Sequence, residues 1–266
     1  MKSIMSVNYK FMEFNPLELI TIVMDNSNSI AGFEMSINYK DEIQLKYLND
    51  LSFLCKKYGL HLQIHGDSQL PVNEQLLYIE KLENISDYLG YPINVVLHPL
   101  NLETKDESIT KTIEYMDSII SKSDFNKVVI SLENLNNNNF DDRLNKEDIT
   151  SIILNNEQLF MTYDIGHEII DNGNITDVNK FLFEKISNIH IHTYNDSYSN
   201  GYDHKPIYKH DKHWNLLLKG IEFLKVNKYT GSIVFEYDLY ACLGKDLKEK
   251  IISYCQSIDN ISERLK

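Results

Sequence analysis

Eight short runs rich in Val, Ile and aromatic residues alternate along this chain with longer segments of helical period, and no other feature restricts its fold as strongly. Such runs, separated by amphipathic stretches, read as repeated βα units built on a parallel sheet. The expected strands are residues 4–9, 32–37, 60–65, 93–98, 127–133, 159–164, 188–192 and 232–237. Between them, residues 41–58 place Ile43, Leu48, Leu51, Leu54, Cys55 and Tyr58 on one helical stripe, and Gly59 stands where a left-handed C-terminal cap is wanted. Residues 73–89 repeat the arrangement, with Asn73 as N-cap and Gly90 as the stop. Further helical stretches are expected over 106–121, 146–155, 177–185, 214–226 and 245–261.

Eight strand-helix pairs in a chain of 266 residues are what a closed barrel requires. The rival, an open doubly wound sheet, usually carries a Gly-rich phosphate turn after its first strand, and none is present. The expectation is therefore an α/β chain folded as a single (β/α)8 TIM barrel, one domain over residues 1–266 with no linker. A composition of 42% hydrophobic and 24% charged residues fits that class. No apolar run approaches the roughly 18 residues of a membrane span. Asn8, Lys10 and Glu13 interrupt the N-terminal stretch where a secretory signal needs an unbroken apolar core. Cys55, Cys242 and Cys255 cannot all pair and show no metal spacing, so free thiols and a cytoplasmic location are expected. The run Asn136 to Asn139 is read as a loop.

From the third strand onward, every strand ends in a residue able to bind a metal or move a proton. His65 ends LHLQIH, His98 ends INVVLH and Glu133 ends KVVISLE. Asp164 and His167 follow in LFMTYDIGH, His190 and His192 in NIHIH, and Glu236 in SIVFE. The C-terminal strand ends of a barrel converge on one rim, so these distant residues are expected to meet around a single pocket. Alternation along a strand makes His61, Gln63 and His65 point one way, as it does His190 and His192. A single His or Asp at a strand end is usually a satisfied loop residue. Six successive strands showing the pattern are another matter, because crowding so many ionisable groups together without a cation leaves like charges and unpaired polar atoms in one place. Mixed imidazole and carboxylate donors suit Zn, Mn, Co or Fe(II) better than Mg or Ca.

Taken in order, QIH, VVLHP, ISLEN, YDIGH, ISNIHIH, YDHKPI and IVFE resemble the xylose isomerase-like barrel superfamily, which holds sugar isomerases and epimerases and also endonuclease IV-type abasic-site nucleases. The resemblance covers nearly the whole chain. It implies one divalent metal on Glu133, Asp164, His190 and Glu236, and further metals, up to three, on His65, His98, His167 and His204. His192 is the less favoured ligand and is placed with the substrate. The chain departs from the pattern at two positions. Where multi-metal members carry an Asp two places before the histidine matching His204, it has Tyr202, with Asp203 one place later. That departure weakens the case for a third metal. Where a Gly-Glu-Gly turn often follows, it has Tyr208, Lys209 and His210, so the backbone approach that glycines allow is lost and cationic side chains take its place. Lys205, Lys209 and Lys212 are accordingly expected to hold an anionic substrate group.

The resemblance implies an isomerase or epimerase of a small sugar or sugar phosphate, in which Glu133 and Glu236 remove and return a carbon-bound proton through a metal-stabilised enediolate. The alternative is metal-dependent phosphodiester hydrolysis at abasic DNA, favoured by the many imidazoles. With 26 Lys+Arg against 39 Asp+Glu, a net charge of −13 repels phosphate backbones and favours sugar chemistry over nucleic acid. A metal-binding barrel without catalysis is the third possibility. A homo-oligomer is expected from the relatives.

Overall fold

Eight parallel strands make up the sheet: β1 (Lys2–Val7), β2 (Ile30–Ser36), β3 (His61–His65), β4 (Ile93–Leu97), β5 (Val128–Glu133), β6 (Phe160–Asp164), β7 (Ile186–Ile191) and β8 (Ser232–Phe235). Each strand bonds to the next and β8 bonds to β1, so the sheet closes into the expected (β/α)8 barrel. The computed structural model describes residues 1–67, 70–136, 144–171, 175–193, 204–209 and 211–265. The expectations attached to Asn137 to Asn139, Tyr202, Asp203 and His210 lie outside those residues.

The helices are α1 (Pro16–Asn26), α2 (Glu42–Tyr58), α3 (Val72–Leu89), α4 (Lys105–Ile120), α5 (Lys146–Leu154), α6 (Ile165–Ile170), α7 (Lys180–Glu184), α8 (Trp214–Val226) and α9 (Leu247–Leu265). Asp41 caps α2 by accepting from the Ile43 and Gln44 amides, and Gly59 closes it at φ 68°. Gly90 closes α3 at φ 87°. Asn73 is not the cap of α3. Pro71 occupies that position without a side-chain bond, because its fixed φ already suits a helix entry, and Asn73 lies inside the first turn. The segment read over 177–185 is helical only from Lys180, where Asn179 accepts from the Leu182 amide and sets the start. Two helices have no counterpart in the sequence reading, α1, which opens with Pro16 after the Asn15 cap, and the short α6.

Alternation along the strands separates two environments. Met5, Phe33, Ile64, Val95, Leu132, Tyr163, Ile189 and Phe235 belong to one phase, all fully buried in the core that the helices cover. The other phase lines the barrel interior, and there the chain places Glu34, Gln63, Ser131, Thr162 and Asn188, all buried. A contact from Asn188 on β7 to Glu34 on β2 at 3.1 Å crosses the lumen between strands that are not neighbours. Barrel interiors are usually packed with branched apolar side chains. This one carries a hydrogen-bonded polar layer, with the strand-end residues above it. Gly32 permits the close contact of β2 with β3, since a Cβ there would lie 2.2 Å from the His61 carbonyl oxygen.

The three cysteines are free and buried. Among the described residues, no helix is long and apolar enough to cross a membrane.

Candidate metal centre

Glu133, the last residue of β5, is fully buried and divides its two oxygens between different imidazoles. Oε1 lies 3.1 Å from His190 Nδ1 and 3.8 Å from His167 Nδ1. Oε2 lies 3.1 Å from His98 Nε2 and 3.3 Å from His65 Nε2. Glu236, just past β8, brings Oε2 to 3.0 Å from His190 Nδ1 and 3.4 Å from His204 Nε2. Asp164 ends β6 and also caps α6. Its Oδ1 accepts from the His167 amide at 2.8 Å, which leaves Oδ2 3.1 Å from His192 Nε2 and 3.9 Å from His190 Nδ1. Asn134 holds this corner together by accepting from the Asp164 amide through its side-chain oxygen at 2.8 Å and from His167 Nδ1 through its backbone carbonyl at 2.7 Å.

His204 sits at φ 58°, a left-handed backbone uncommon for a residue with a Cβ. Its N–H donates to His192 Nδ1 at 3.2 Å and its carbonyl accepts from the Asp238 amide at 2.7 Å, so bonds on both sides hold the strained residue in place. The rings of His192 and His204 stack at 4.3 Å. Strain of this kind collects at functional sites.

All eight residues expected to bind metal therefore meet at one end of the barrel. Ligand atoms of His65, Glu133, His190 and Glu236 lie within 4.8 Å of one another, as do those of His167, His192 and His204. Glu133 with Asp164 and His167, and Asp164 with His192 and Glu236, join the two groups. Adjacent donors on a tetrahedral ion with bonds of about 2.05 Å lie about 3.3 Å apart, and the separations of 3.0 to 3.9 Å around His190 Nδ1 bracket that value. The donor chemistry and the spacing both fit a divalent cation. The rim opens into a cavity of about 1110 Å³ bordered by Ser36, Asn38, Asp67, Asn101, Asn136 and several apolar residues, besides His65, His98, Glu133, His167, His204 and Glu236.

The lysines lie elsewhere. Lys205 Nζ is 3.3 Å from Asp211 Oδ1, with its backbone paired to Thr193, and Lys209 is exposed. Neither borders the cavity, and no Lys or Arg does among the described residues. His192 is completely buried against Asp164 and likewise stays off the cavity wall. Glu34, Asn134 and Asn188 are participants that sequence reasoning missed. The available signal for Glu34 was a carboxylate between Phe33 and Met35 in the middle of an otherwise apolar strand.

The charges are strongly coupled. Burial works against ionisation of Glu133, but the charge of His190 and the bonds from His190, His65 and His98 hold its carboxyl well below the usual range. Burial likewise opposes ionisation of Glu236, and His204 and His190 outweigh it. Burial depresses His190, yet Glu34, Glu133 and Glu236 hold it well above an ordinary imidazole. For His65, burial is outweighed by the bond to Glu133 and the charges of Glu236, Glu133 and Glu34, and the group is pushed up to about 9.

A pH dependence follows for the protein kept in chelator. The folded His65 value of about 9 exceeds the unfolded value of about 6.5, so its contribution is complete below pH 6.5 and disappears as pH rises through 9. The thermal midpoint should fall across that window more steeply in the parent than in His65→Gln, and added Zn should flatten the parent curve. Superimposable profiles for parent and variant in chelator would refute the coupling.

No family model matches the chain, and no curated protein matches it in sequence. Solved structures do match, over nearly all of their lengths. D-psicose 3-epimerase in the presence of D-fructose superposes with a TM-score of 0.72 at 13% identity, covering 100% of this chain and 99% of that one. The IOLI protein with a bound zinc atom gives 0.66 at 17% identity, covering 100% and 98%. AP endonuclease, family 2, from Brucella melitensis gives 0.65 at 13% identity, covering 94% and 96%. Likeness at this level of identity establishes architecture alone, that of a (β/α)8 barrel, and at its rim this chain places a buried cluster of His, Glu and Asp where a divalent ion would fit.

Proposed function

We propose that this protein is a divalent-cation-dependent epimerase or isomerase of a small carbohydrate, working by proton transfer at a carbon next to a carbonyl. The observation that carries the reading is that Glu133 and Glu236, from β5 and the end of β8, both reach His190 Nδ1, at 3.1 and 3.0 Å, and both border the cavity. A cation held by Glu133, Asp164, His190 and Glu236, Zn or Mn by its donors, would stabilise negative charge developing on the substrate oxygens. One carboxylate takes the proton from carbon. The C–H electron pair moves into a new carbon–carbon double bond and the carbonyl oxygen takes up the charge, giving an enediolate. For epimerisation the other glutamate, having taken up a proton from solvent, delivers it to the opposite face of the same carbon; for isomerisation the neighbouring carbon is protonated and the hydroxyl proton passes to the former carbonyl oxygen. Both carboxyls are held ionised by their imidazole partners, so either can be the one that accepts the carbon-bound proton at neutral pH. Ser36, Asn38, Asn101 and Asn136 offer hydroxyl and amide groups suited to sugar hydroxyls. With no Lys or Arg among the described lining residues, an uncharged sugar is preferred to a sugar phosphate.

A second reading, phosphodiester hydrolysis at abasic sites, is favoured by one observation: His167, His192 and His204 form a group beyond what a single ion needs. The cavity lining speaks against it, since gripping a polyanion requires cations near the reacting phosphate.

The test is turnover in D2O by the Zn- or Mn-loaded protein, on uncharged ketoses and aldoses, their phosphates and an abasic-site duplex. Deuterium should enter an uncharged sugar at the carbon next to its carbonyl. Cleavage of the duplex with no exchange into any sugar would establish the second reading.

A further inference from the structure

Among the described residues Glu34 is the one carboxylate in the polar layer beneath the rim, completely buried in the middle of β2. A charge in that position is costly unless hydrogen bonds and a counter-charge compensate it. Its partners are few and all lie inside the barrel. Oε2 accepts from Gln63 Nε2 at 2.7 Å and from Asn188 Nδ2 at 3.1 Å. Both oxygens lie 3.2 Å from His190 Nε2, and that nitrogen is the only close partner of Oε1 among the described residues. Gln63 and Asn188 are themselves buried, each two positions before a rim histidine on its own strand.

A neutral imidazole carries one proton, and the nitrogen that holds it is set by what faces the ring. Below His190, Nε2 faces both oxygens of the acceptor-only Glu34 at 3.2 Å and the Asn188 amide nitrogen at 3.1 Å, the same amide that, with Gln63, fixes the carboxylate by donating to Oε2. Above it, Nδ1 faces Glu133, Glu236 and, at 3.9 Å, Asp164. Without a cation, carboxylates on both sides favour a proton on each nitrogen; a cation at the rim takes the place of the proton on Nδ1, and the one that remains faces Glu34 from Nε2. We propose that Glu34 is a positioning residue: by holding the proton of His190 on Nε2, it makes Nδ1 the nitrogen that His190 presents to a divalent cation. The inference rests on the cation-dependent reading of the rim. It adds a residue that does not border the cavity and would touch neither cation nor substrate.

Such outer partners raise the basicity of the ligand nitrogen and fix the ring, and their loss typically weakens metal binding about 10- to 100-fold. Glu34→Gln keeps the volume but removes the charge, and Glu34→Asp keeps the charge but shortens its reach.

The experiment uses the full chain with 15N-labelled histidine, whose ring nitrogen shifts report which nitrogen carries a proton, at pH 8 in chelator and again with Zn. In the parent, His190 Nε2 should be protonated under both conditions, with Nδ1 shifting on addition of Zn. In Glu34→Gln, the Nε2 proton should no longer be retained exclusively, and Zn affinity, measured by competition with a chromophoric chelator, should fall about 10- to 100-fold. Glu34→Asp should restore the Nε2 proton and part of the affinity, a rescue that a purely space-filling role would not produce. A parent spectrum with Nε2 unprotonated would overturn the proposal without any variant, which covers the case in which Glu34→Gln fails to fold. An unchanged His190 signature and Zn affinity in folded Glu34→Gln would overturn it as well. If the parent holds its Nε2 proton, loses it in Glu34→Gln and yet binds no Zn or Mn, the cation-dependent reading fails while the control of the tautomer by Glu34 stands.

Discussion

Glu133→Gln should lower turnover by about 10²- to 10⁴-fold, the range expected when a positioned proton-transfer group is lost. Two roles are removed at once. The glutamine amide cannot take up a carbon-bound proton near neutral pH. It also replaces one carboxylate oxygen by an NH2 in a place where Oε1 and Oε2 each face imidazole nitrogens at 3.1 Å. Glu133 links His65 and His98 on one side to His190 and His167 on the other, so the substitution should also empty the rim of bound cation. Glu236→Gln offers a useful contrast. Glu236 retains 17% side-chain exposure and pairs with His190 and His204, so its replacement should stop proton exchange while leaving a larger share of the cation bound. The measurement is deuterium incorporation per turnover, alongside Zn or Mn content of each variant. Exchange at the parent rate in both metal-loaded variants would remove the assignment of Glu133 and Glu236 as acid and base.

The strand-end residues were legible because a barrel converts a one-dimensional regularity into a ring. His65, His98, Glu133, Asp164, His190 and Glu236 each terminate a run whose apolar phase is plain, and closure of the sheet does the rest. Glu34 was not legible by the same rule, since it lies mid-strand rather than at an end. Its meaning depends on β7, which supplies Asn188 and His190 from across the lumen. The helix α1 was legible in principle, since Pro16, Leu19, Ile20 and Val23 form a buried stripe behind an Asn-Pro start, but Leu17 and Met24 carry apolar residues onto its exposed side as well. The helix α6 has only six residues and is capped by a site residue, Asp164, whose side chain serves as cap and as candidate ligand together. The lysines show the opposite limit. Their charge is evident from the sequence, but direction is not, and Lys205 turns toward Asp211 instead of the cavity. Whether Asn73 or Pro71 begins α3 was decided by backbone preference, which outweighed the capping propensity of the asparagine.

Gly166→Ala should damage the site as severely as the loss of a ligand, without placing anything in the cavity. A Cβ on Gly166 would lie 2.5 Å from both Cδ2 and Nε2 of His192 and 2.6 Å from its Cε1, distances no packed carbon adopts. The added methyl group cannot simply turn aside, because Gly166 is the second residue of α6 and its backbone is fixed by the Asp164 cap. The ring has little room to yield either. His192 has no exposed surface, stacks on His204 at 4.3 Å, bonds Asp164 through Nε2 and accepts the His204 amide through Nδ1. Displacing it therefore breaks the Asp164 contact and disturbs His204 in its left-handed conformation. Overpacking of this kind typically costs about 1–3 kcal/mol of stability. A displacement of about 1 Å in a catalytic group can cost about 100-fold in rate. The expected variant is folded, less stable by that amount in urea, and slowed about 100-fold or more, with the largest loss in the rate of proton exchange at saturating substrate. Gly166→Ser should behave the same way, and His192→Ala combined with Gly166→Ala should recover stability, since the truncated side chain makes room for the methyl group. A Gly166→Ala protein as active and as stable as the parent would show that His192 is free to move and that the packed arrangement around Asp164 does not govern the reaction.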